Sequence, residues 1–175
     1  MVMLLVAQSG GPSAAINATI TGVIDAGIES GRVGHVYGAL NGIKGVLNEN
    51  FVNLDEVCDT KEKRDLLAIT PAAALGSCRW KLGDPKENAE EFEEIIRILR
   101  KNDIEYFIYT GGNDSMDTVY KLSVYCEEHH IDDIKVMGAP HAIEPISGIF
   151  FIFGFGSNPG GISCAGGVIG CFRST

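Results

Sequence analysis

The stretch I-Y-T-G-G-N-D-S-M-D-T-V, from Ile108 to Val119, holds the residues best suited to chemistry in this sequence. An apolar run from Ile104 to Tyr109 meets a double glycine, then Asn113, Asp114 and Ser115, then an amphipathic segment. That order predicts a buried strand feeding a tight turn at the start of a helix. Backbone N–H groups at a helix start have no intrahelical partner and suit a phosphate. The glycines let a ligand approach the backbone. The side-chain oxygens of Asn113, Asp114 and Ser115 suit a hydrated cation such as magnesium.

A second turn of the same kind lies near the amino terminus. Met3 to Ala7 reads as a strand and is followed by Gln8-Ser9-Gly10-Gly11-Pro12-Ser13. The next helix is expected to start near Ala14 and to bury Ile16, Ile20, Val23, Ile24 and Ile28. Two glycine turns, each between a strand and a helix, suggest one polyphosphate held from two directions. Both would sit at the carboxyl ends of strands, where open α/β sheets bind ligands.

The elements that must position these turns alternate. Strands are expected at Met3–Ala7, His35–Ala39, Ile104–Tyr109 and Ile134–Gly138, and helices at Ala14–Ser30, Glu87–Asn102 and Ser115–Glu128. For the middle helix, Asp84 is placed to cap, Pro85 suits the first helical position, and Glu87 stands where a capping box needs its acid. Ala89, Phe92, Ile95, Ile96 and Leu99 recur at helical spacing, with the acidic run Glu90, Glu91, Glu93 and Glu94 as a solvated face. The pattern implies an α/β fold, a Rossmann-like, largely parallel sheet with helices on both faces.

Residues 1–140 form this α/β unit, and residues 141–175 are an atypical glycine-rich tail. From Pro145 to Thr175 the only charged residue is Arg173. The apolar run Ile149 to Phe153 is far shorter than the ~20 residues a membrane span requires. Such a tail needs a cover. Either it contacts a missing carboxyl half, or its sequence is corrupted by a frameshift or misassembly; the second reading is preferred.

The 175 residues suffice for one domain with a sizeable core, or for part of a larger one, and a hydrophobic content of 45% argues against disorder. A formal net charge of −9 argues against a nucleic-acid partner, which would need a basic stripe. It leaves room for a small anion held by local N–H groups and a few arginines. The five cysteines have no CxxC spacing, and their odd count favours reduced thiols. The opening residues lack a basic n-region and read as the first strand, so a cytoplasmic protein is expected.

Four motifs, in order, resemble the amino-terminal part of the phosphofructokinase family, and its pyrophosphate-dependent branch most closely. They are Ser9-Gly10-Gly11 with Ile16-Asn17-Ala18; Leu75-Gly76-Ser77-Cys78-Arg79; Gly111-Gly112-Asn113-Asp114-Ser115-Met116-Asp117-Thr118; and Gly138-Ala139-Pro140. The resemblance implies phosphoryl transfer to the 1-hydroxyl of fructose 6-phosphate, with magnesium, in glycolysis. It makes residues 1–140 a donor-phosphate-binding domain. Gly11 matches the glycine whose backbone approaches the donor phosphates, and Arg79 an arginine that contacts them. Ser115 belongs to the same donor-binding turn. Asn113 stands where many members have a magnesium-associated aspartate, and Asp114 where ATP-dependent members have glycine and pyrophosphate-dependent members aspartate. A carboxylate there repels a nucleotide's α-phosphate, which pyrophosphate lacks. The family's subunits associate, so a homo-oligomer is implied at full length.

The resemblance breaks after Pro140. The family's base lies in a threonine–isoleucine–aspartate–asparagine–aspartate run, whereas this chain reads Ala142-Ile143-Glu144-Pro145-Ile146. Glu144 takes the base position, but its extra methylene moves the carboxylate by over about 1 Å, and such misplacement can cost ~10²-fold. Pro145 also restricts its backbone. The family's carboxyl half, which supplies much of the sugar-phosphate site, does not follow. Donor binding without catalysis is therefore expected of these residues alone.

Several residues carry plainer readings. Trp80 is expected to pack rather than stack on a base, Cys78 to be a small buried residue, and His129 and His130 to be solvated at a helix end. His141 gets no catalytic role. Asp117 is either an exposed first-turn acid complementing the helix dipole or part of the site. Beside pyrophosphate and fructose 6-phosphate as substrates stand two alternatives, an ATP-dependent 6-phosphofructokinase and a non-catalytic phosphate-binding or regulatory homologue. A dinucleotide-binding oxidoreductase is disfavoured because no G-x-G-x-x-G turn follows any strand.

Overall fold

The computed structural model describes residues 2–10 and 15–140 with side chains, and the strands Phe150–Gly154 and Val168–Phe172 by backbone alone. The chain runs β1 (Val2–Gln8), α1 (Ile16–Ser30), β2 (Val33–Ala39), α2 (Gly42–Leu47), β3 (Phe51–Asn53), α3 (Leu54–Val57) and α4 (Lys61–Ile69). It continues α5 (Ala89–Lys101), β4 (Ile104–Gly111), α6 (Asn113–Glu128), β5 (Lys135–Pro140), β6 (Phe150–Gly154) and β7 (Val168–Phe172). The seven strands make one sheet in the order β3-β2-β1-β4-β5-β6-β7. β2, β1, β4 and β5 are parallel, and β3, β6 and β7 join antiparallel at the edges.

Parallel neighbours need crossovers over the sheet faces, so central strands are buried on both sides and read as continuous apolar runs. β1 and β4 fit this rule. Leu5, Ala7, Phe107 and Tyr109 point to one face and pack with Phe92, Ile95 and Leu99 of α5 and Val119 and Leu122 of α6. Leu4, Val6 and Ile108 point to the other, against Ile20 and Ile24 of α1 and Leu54 of α3. Helices thus cover both faces of a largely parallel sheet, as the alternation of elements predicts.

β1 is flanked by β2 on one side and β4 on the other. The chain therefore winds outward in opposite directions from the β1–β4 pair. Ligands of open α/β sheets bind in the crevice at such a switch point. Both glycine turns leave strands of this pair at their carboxyl ends.

Boundaries differ from expectation where local chemistry overrides the apolar period. Asp84 does not cap α5. Its carboxylate accepts from the N–H of Lys86 at 2.9 Å, and its carbonyl accepts from the N–H groups of Glu87 and Asn88 at 3.0 and 2.9 Å. That turn closes on itself, and α5 begins only after Asn88. α6 begins at Asn113, two residues before Ser115, because Gly112 already has the extended backbone of an N-cap. α1 begins at Ile16 with Ala15 as its cap residue, and Ala14 lies outside the described residues. Ile28 is half exposed rather than buried, and Val23 only half-buried.

Residues 42–69 hold three helices and a strand that periodicity did not reveal. α4 has no buried residue to create an apolar stripe. It is held by the Thr60 hydroxyl accepting from the Lys63 N–H at 3.3 Å, and by Arg64 Nε donating to Asp25 Oδ1 of α1 at 2.6 Å. Ile24→Ala should cost about 2–5 kcal/mol, because it opens a cavity between α1 and the sheet. Ile28→Ala should cost under about 1 kcal/mol, as for other surface positions. Urea unfolding of both variants checks this assignment.

Candidate functional site

The site is built on a pair of buried amides. Gln8 ends β1 and Asn17 lies in the first turn of α1; both are fully buried. Gln8 Nε2 donates to Asn17 Oδ1 at 2.9 Å and to the Ile16 carbonyl at 3.3 Å, while Gln8 Oε1 accepts from the Leu75 N–H at 2.8 Å. Asn17 Nδ2 donates to the carbonyls of Thr70 and Ala72 at 2.8 and 2.7 Å, and its Oδ1 also accepts from the Ala74 N–H at 2.9 Å. Every donor and acceptor site of the Asn17 amide is thereby used. Residues 70–75, which have no helix or strand of their own, hang from these two side chains.

The same segment is then drawn over the end of β1. The Leu75 carbonyl accepts from the Asn41 N–H at 2.7 Å, and Gly76 turns with φ of 72°. A Cβ at Gly76 would strike Asn41 Oδ1, so the glycine is required twice over. Ser77 Oγ donates to the Gly10 carbonyl at 3.1 Å and Ser9 Oγ to the Cys78 carbonyl at 2.9 Å. Gly10 itself has φ of 93°, which starts the first glycine turn. Arg79 emerges next, exposed and with no hydrogen bond or ion pair among the described residues. Cys78 is half-buried rather than buried.

Beyond Arg79 the segment is pinned to α5 and α6. Trp80 Nε1 donates to Glu91 of α5 at 2.9 Å, and Lys44 Nζ lies 5.7 Å from its ring centroid, but the side chain is exposed rather than packed in the core. Lys121 Nζ of α6 donates to the Leu82 carbonyl at 2.9 Å. Lys121 also stands 2.8 Å from Asp117 Oδ2, an ion pair that lacks hydrogen-bond geometry and supplies that buried oxygen's countercharge. Asp117 is thus an i,i+4 partner within α6.

The second glycine turn faces this segment. Gly112 gives α6 no side-chain cap, so the N–H groups of its first turn have no capping acceptor. Ser115 is buried, while Asn113 and Asp114 are exposed. Lys81 Nζ approaches Asp114 Oδ1 at 3.8 Å, with both side chains more than two-thirds exposed at 68% and 80%. Gly111 is closely crowded: a Cβ there would strike Ser115 Oγ and lie 2.6 Å from the Ser9 carbonyl. The Ser9 N–H donates to the Thr110 carbonyl at 2.9 Å, and Thr110 Oγ1 donates to the Ala139 carbonyl at 2.9 Å. The ends of β1, β4 and β5 are thereby stitched together.

The structure thus brings Arg79, Asn113, Asp114 and Ser115 to one edge of the sheet, beside Gly10 and Pro140. Gly11 and Glu144 lie outside the described residues. Sequence reasoning missed Gln8, Lys81 and Tyr109 as members of this edge. A glutamine closing an apolar strand is a visible signal, since a buried amide needs partners. Lys81 carries none, because its approach to Asp114 depends on the path of residues 76–82.

A shallow groove of about 440 Å³ lies elsewhere, between α5 and the end of α6, lined in part by Arg97, Arg100, Tyr125 and His129. Its arginines are already neutralised by Glu94 and Asp133 at 2.6 Å. The uncapped helix start and the unpaired arginine make the sheet edge the stronger candidate. Asn17→Ala should destabilise the fold by about 2–4 kcal/mol, since it strands buried polar groups of Gln8 and residues 70–74. Asn17→Asp should cost as much, because a carboxylate cannot donate to two carbonyls; thermal melts of both variants check this.

The sequence model of the family described as phosphofructokinase matches residues 3–158. A pyrophosphate–fructose 6-phosphate 1-phosphotransferase of Halomonas elongata is 44% identical over 123 residues, 70% of this chain and 29% of its own length. One from Methylococcus capsulatus is 42% identical over the same coverage. An ATP-dependent 6-phosphofructokinase of Staphylococcus aureus is 28% identical over 159 residues, 89% of this chain and 44% of that one. The crystal structure of a pyrophosphate-dependent phosphofructokinase from Nitrosospira multiformis aligns with a TM-score of 0.71 at 36% identity, covering 80% of this chain and 34% of that one. The chain spans about 29% of the length of the curated pyrophosphate-dependent relatives it matches. With four ordered motifs on one sheet edge and a family match across most of its residues, the chain belongs to the phosphofructokinase family.

Proposed function

We propose that this chain is the donor-binding part of a pyrophosphate-dependent phosphotransferase. The reaction is phosphoryl transfer from pyrophosphate to the 1-hydroxyl of fructose 6-phosphate, giving fructose 1,6-bisphosphate in glycolysis, in a cytoplasmic enzyme that is a homo-oligomer at full length. The observation that carries the reading is the carboxylate of Asp114 at the uncapped start of α6. Phosphoryl transfer asks little covalent chemistry of the protein and depends on positioning and charge neutralisation. The N–H groups at the start of α6, Ser115 and the guanidinium of Arg79, which has no partner among the described residues, would supply these, joined by Gly11 as the family resemblance implies.

Asp114 excludes rather than attracts. Its charge sits where the α-phosphate of a nucleotide would continue past the transferred group, and pyrophosphate has no such group. Relatives named for pyrophosphate at 42–44% identity, against 28% for the ATP-dependent one, support this choice.

The oxygen donors available also fit a magnesium ion that arrives with the donor. Magnesium keeps several waters and needs only one or two protein oxygens besides the substrate phosphates. Asn113 would hold it or one of its waters, and the ion would neutralise charge on the donor. In this reading Glu144 occupies the base position and would take the proton of the sugar hydroxyl. The departure of residues 142–146 from the family run favours a second reading, a phosphate-binding homologue without catalysis.

Titration of the chain with pyrophosphate and magnesium by calorimetry tests the reading directly. Arg79→Ala should weaken binding about 10–100-fold, the worth of a charge-assisted hydrogen bond. Unchanged affinity would return Arg79 to the ordinary surface. Asp114→Gly should shift the ATP-to-pyrophosphate affinity ratio toward ATP by about tenfold or more, if one charge contact is removed. A ratio that stays put would remove Asp114 from donor selection.

A further inference from the structure

Lys121 is a charged side chain largely withdrawn from water on a surface helix. It lies in the third turn of α6, and its side chain is only 20% exposed. Its ammonium stands 2.8 Å from Asp117 Oδ2, a buried oxygen that no hydrogen bond reaches among the described residues. It also donates to the Leu82 carbonyl at 2.9 Å. An acid placed four residues before a lysine needs neither burial nor a third partner. Here the third partner is a backbone carbonyl 39 residues away, in the stretch between α4 and α5 that has no ladder of its own.

Leu82 closes the segment that carries Arg79. Upstream, the Cys78 carbonyl accepts from Ser9 Oγ at 2.9 Å, so the end of β1 grips the chain one residue before Arg79. Downstream, Lys121 grips the Leu82 carbonyl three residues after it, and the Leu82 side chain is buried in the core. Between these two grips Arg79, Trp80 and Lys81 are all exposed. Lys81 Nζ comes to 3.8 Å from Asp114 Oδ1, so the segment meets α6 both at its first turn and at Lys121. An exposed ion pair at that separation holds little. A hydrogen bond from a largely buried ammonium holds far more.

We propose that Lys121 is a positioning residue, tying the Arg79–Lys81 segment to α6 so that Arg79 and the first turn of that helix meet a diphosphate donor together. The proposal rests on the donor reading above. Lys121 acts through the Leu82 carbonyl and does not touch the donor. Asp117 keeps the ammonium within reach of that carbonyl.

Trp80 is the only tryptophan of the chain and lies inside the tied segment, so its fluorescence provides the test. In Lys121→Met, quenching of Trp80 by acrylamide should rise about twofold from that of a residue 38% exposed, because the freed segment opens locally. Affinity for pyrophosphate with magnesium, measured by calorimetry, should fall about tenfold, since the donor binds only molecules whose segment is in place. Loss of affinity with quenching unchanged overturns the proposal, and means that the ammonium acts on the donor through its charge. Greater quenching with affinity unchanged also overturns it and leaves the tie merely structural. So does a variant in which neither changes. A wild-type chain that binds no pyrophosphate overturns the donor reading and the proposal together, and is told apart by occurring before any substitution. Should Lys121→Met melt far below the wild type, the double variant Asp117→Asn, Lys121→Met carries the same two measurements. It removes the tie without leaving a buried carboxylate alone.

Discussion

The amide of Asn17 is the interaction on which the rest of the edge depends. The 19 residues between α4 and α5 (70–88) have no ladder to satisfy their backbone. Buried peptide groups without partners are costly, so something must replace the ladder. Gln8 and Asn17 do so for residues 70–75, from the end of β1 and the start of α1, at distances of 2.7 to 2.9 Å. Because both residues belong to the β1–α1 unit, and Ser9 and Gly10 of that unit also bond Cys78 and Ser77, Arg79 inherits its position from it. Buried side-chain networks of this kind are worth more than pairwise bonds, provided that every member is satisfied. At Asn17 every member is.

The switch in winding direction gives that network its meaning. β1 and β4 are adjacent, yet their following helices, α1 and α6, cover opposite faces. In open α/β sheets such a switch point leaves a crevice at the carboxyl ends of the strands. The α6 side of that place offers first-turn backbone N–H groups with no side-chain cap. It suits a small, highly charged ligand, for which the directional N–H groups matter more than enclosure. The net charge of −9 does not contradict this. The acidic run of α5 is largely paired or solvated, with Glu94 on Arg97 and Glu91 on Trp80. Charges more than about 8–10 Å away are mostly screened at physiological salt.

Much of this was legible in the residues. The parallel strands announced themselves because burial on both faces makes them apolar throughout, and α5 because one stripe alone is buried. The glycine turns were legible because φ above zero and close approach exclude other residues, as at Gly10 and Gly111. What was not legible has a common cause. α4 is stabilised by caps and ion pairs and fully buries no residue, with Leu67 only partly packed against the core, so its apolar stripe is faint. The cap expected at Asp84 failed because the same carbonyl and carboxylate that begin a helix also close an isolated turn. Lys81 and Tyr109 owe their places to segments distant in sequence, and no local pattern encodes such a meeting.

In the function proposed above, Asp114 would combine attraction with exclusion at one edge. Its backbone belongs to the uncapped first turn of α6, whose N–H groups favour an anion, while its carboxylate opposes one. The two demands are compatible because they act at different distances. N–H groups reach a phosphate in direct contact with the turn. The side chain, 80% exposed and loosely faced by Lys81 at 3.8 Å, acts on whatever extends beyond it. An exposed pair at that separation contributes little to stability. In the donor reading proposed above, its value would lie in the field it sets, which Lys81 would temper for a short donor without cancelling it for a longer one. On that reading, a chain that held Asp114 in a tight, buried ion pair would lose the proposed discrimination, since a neutralised carboxylate repels nothing.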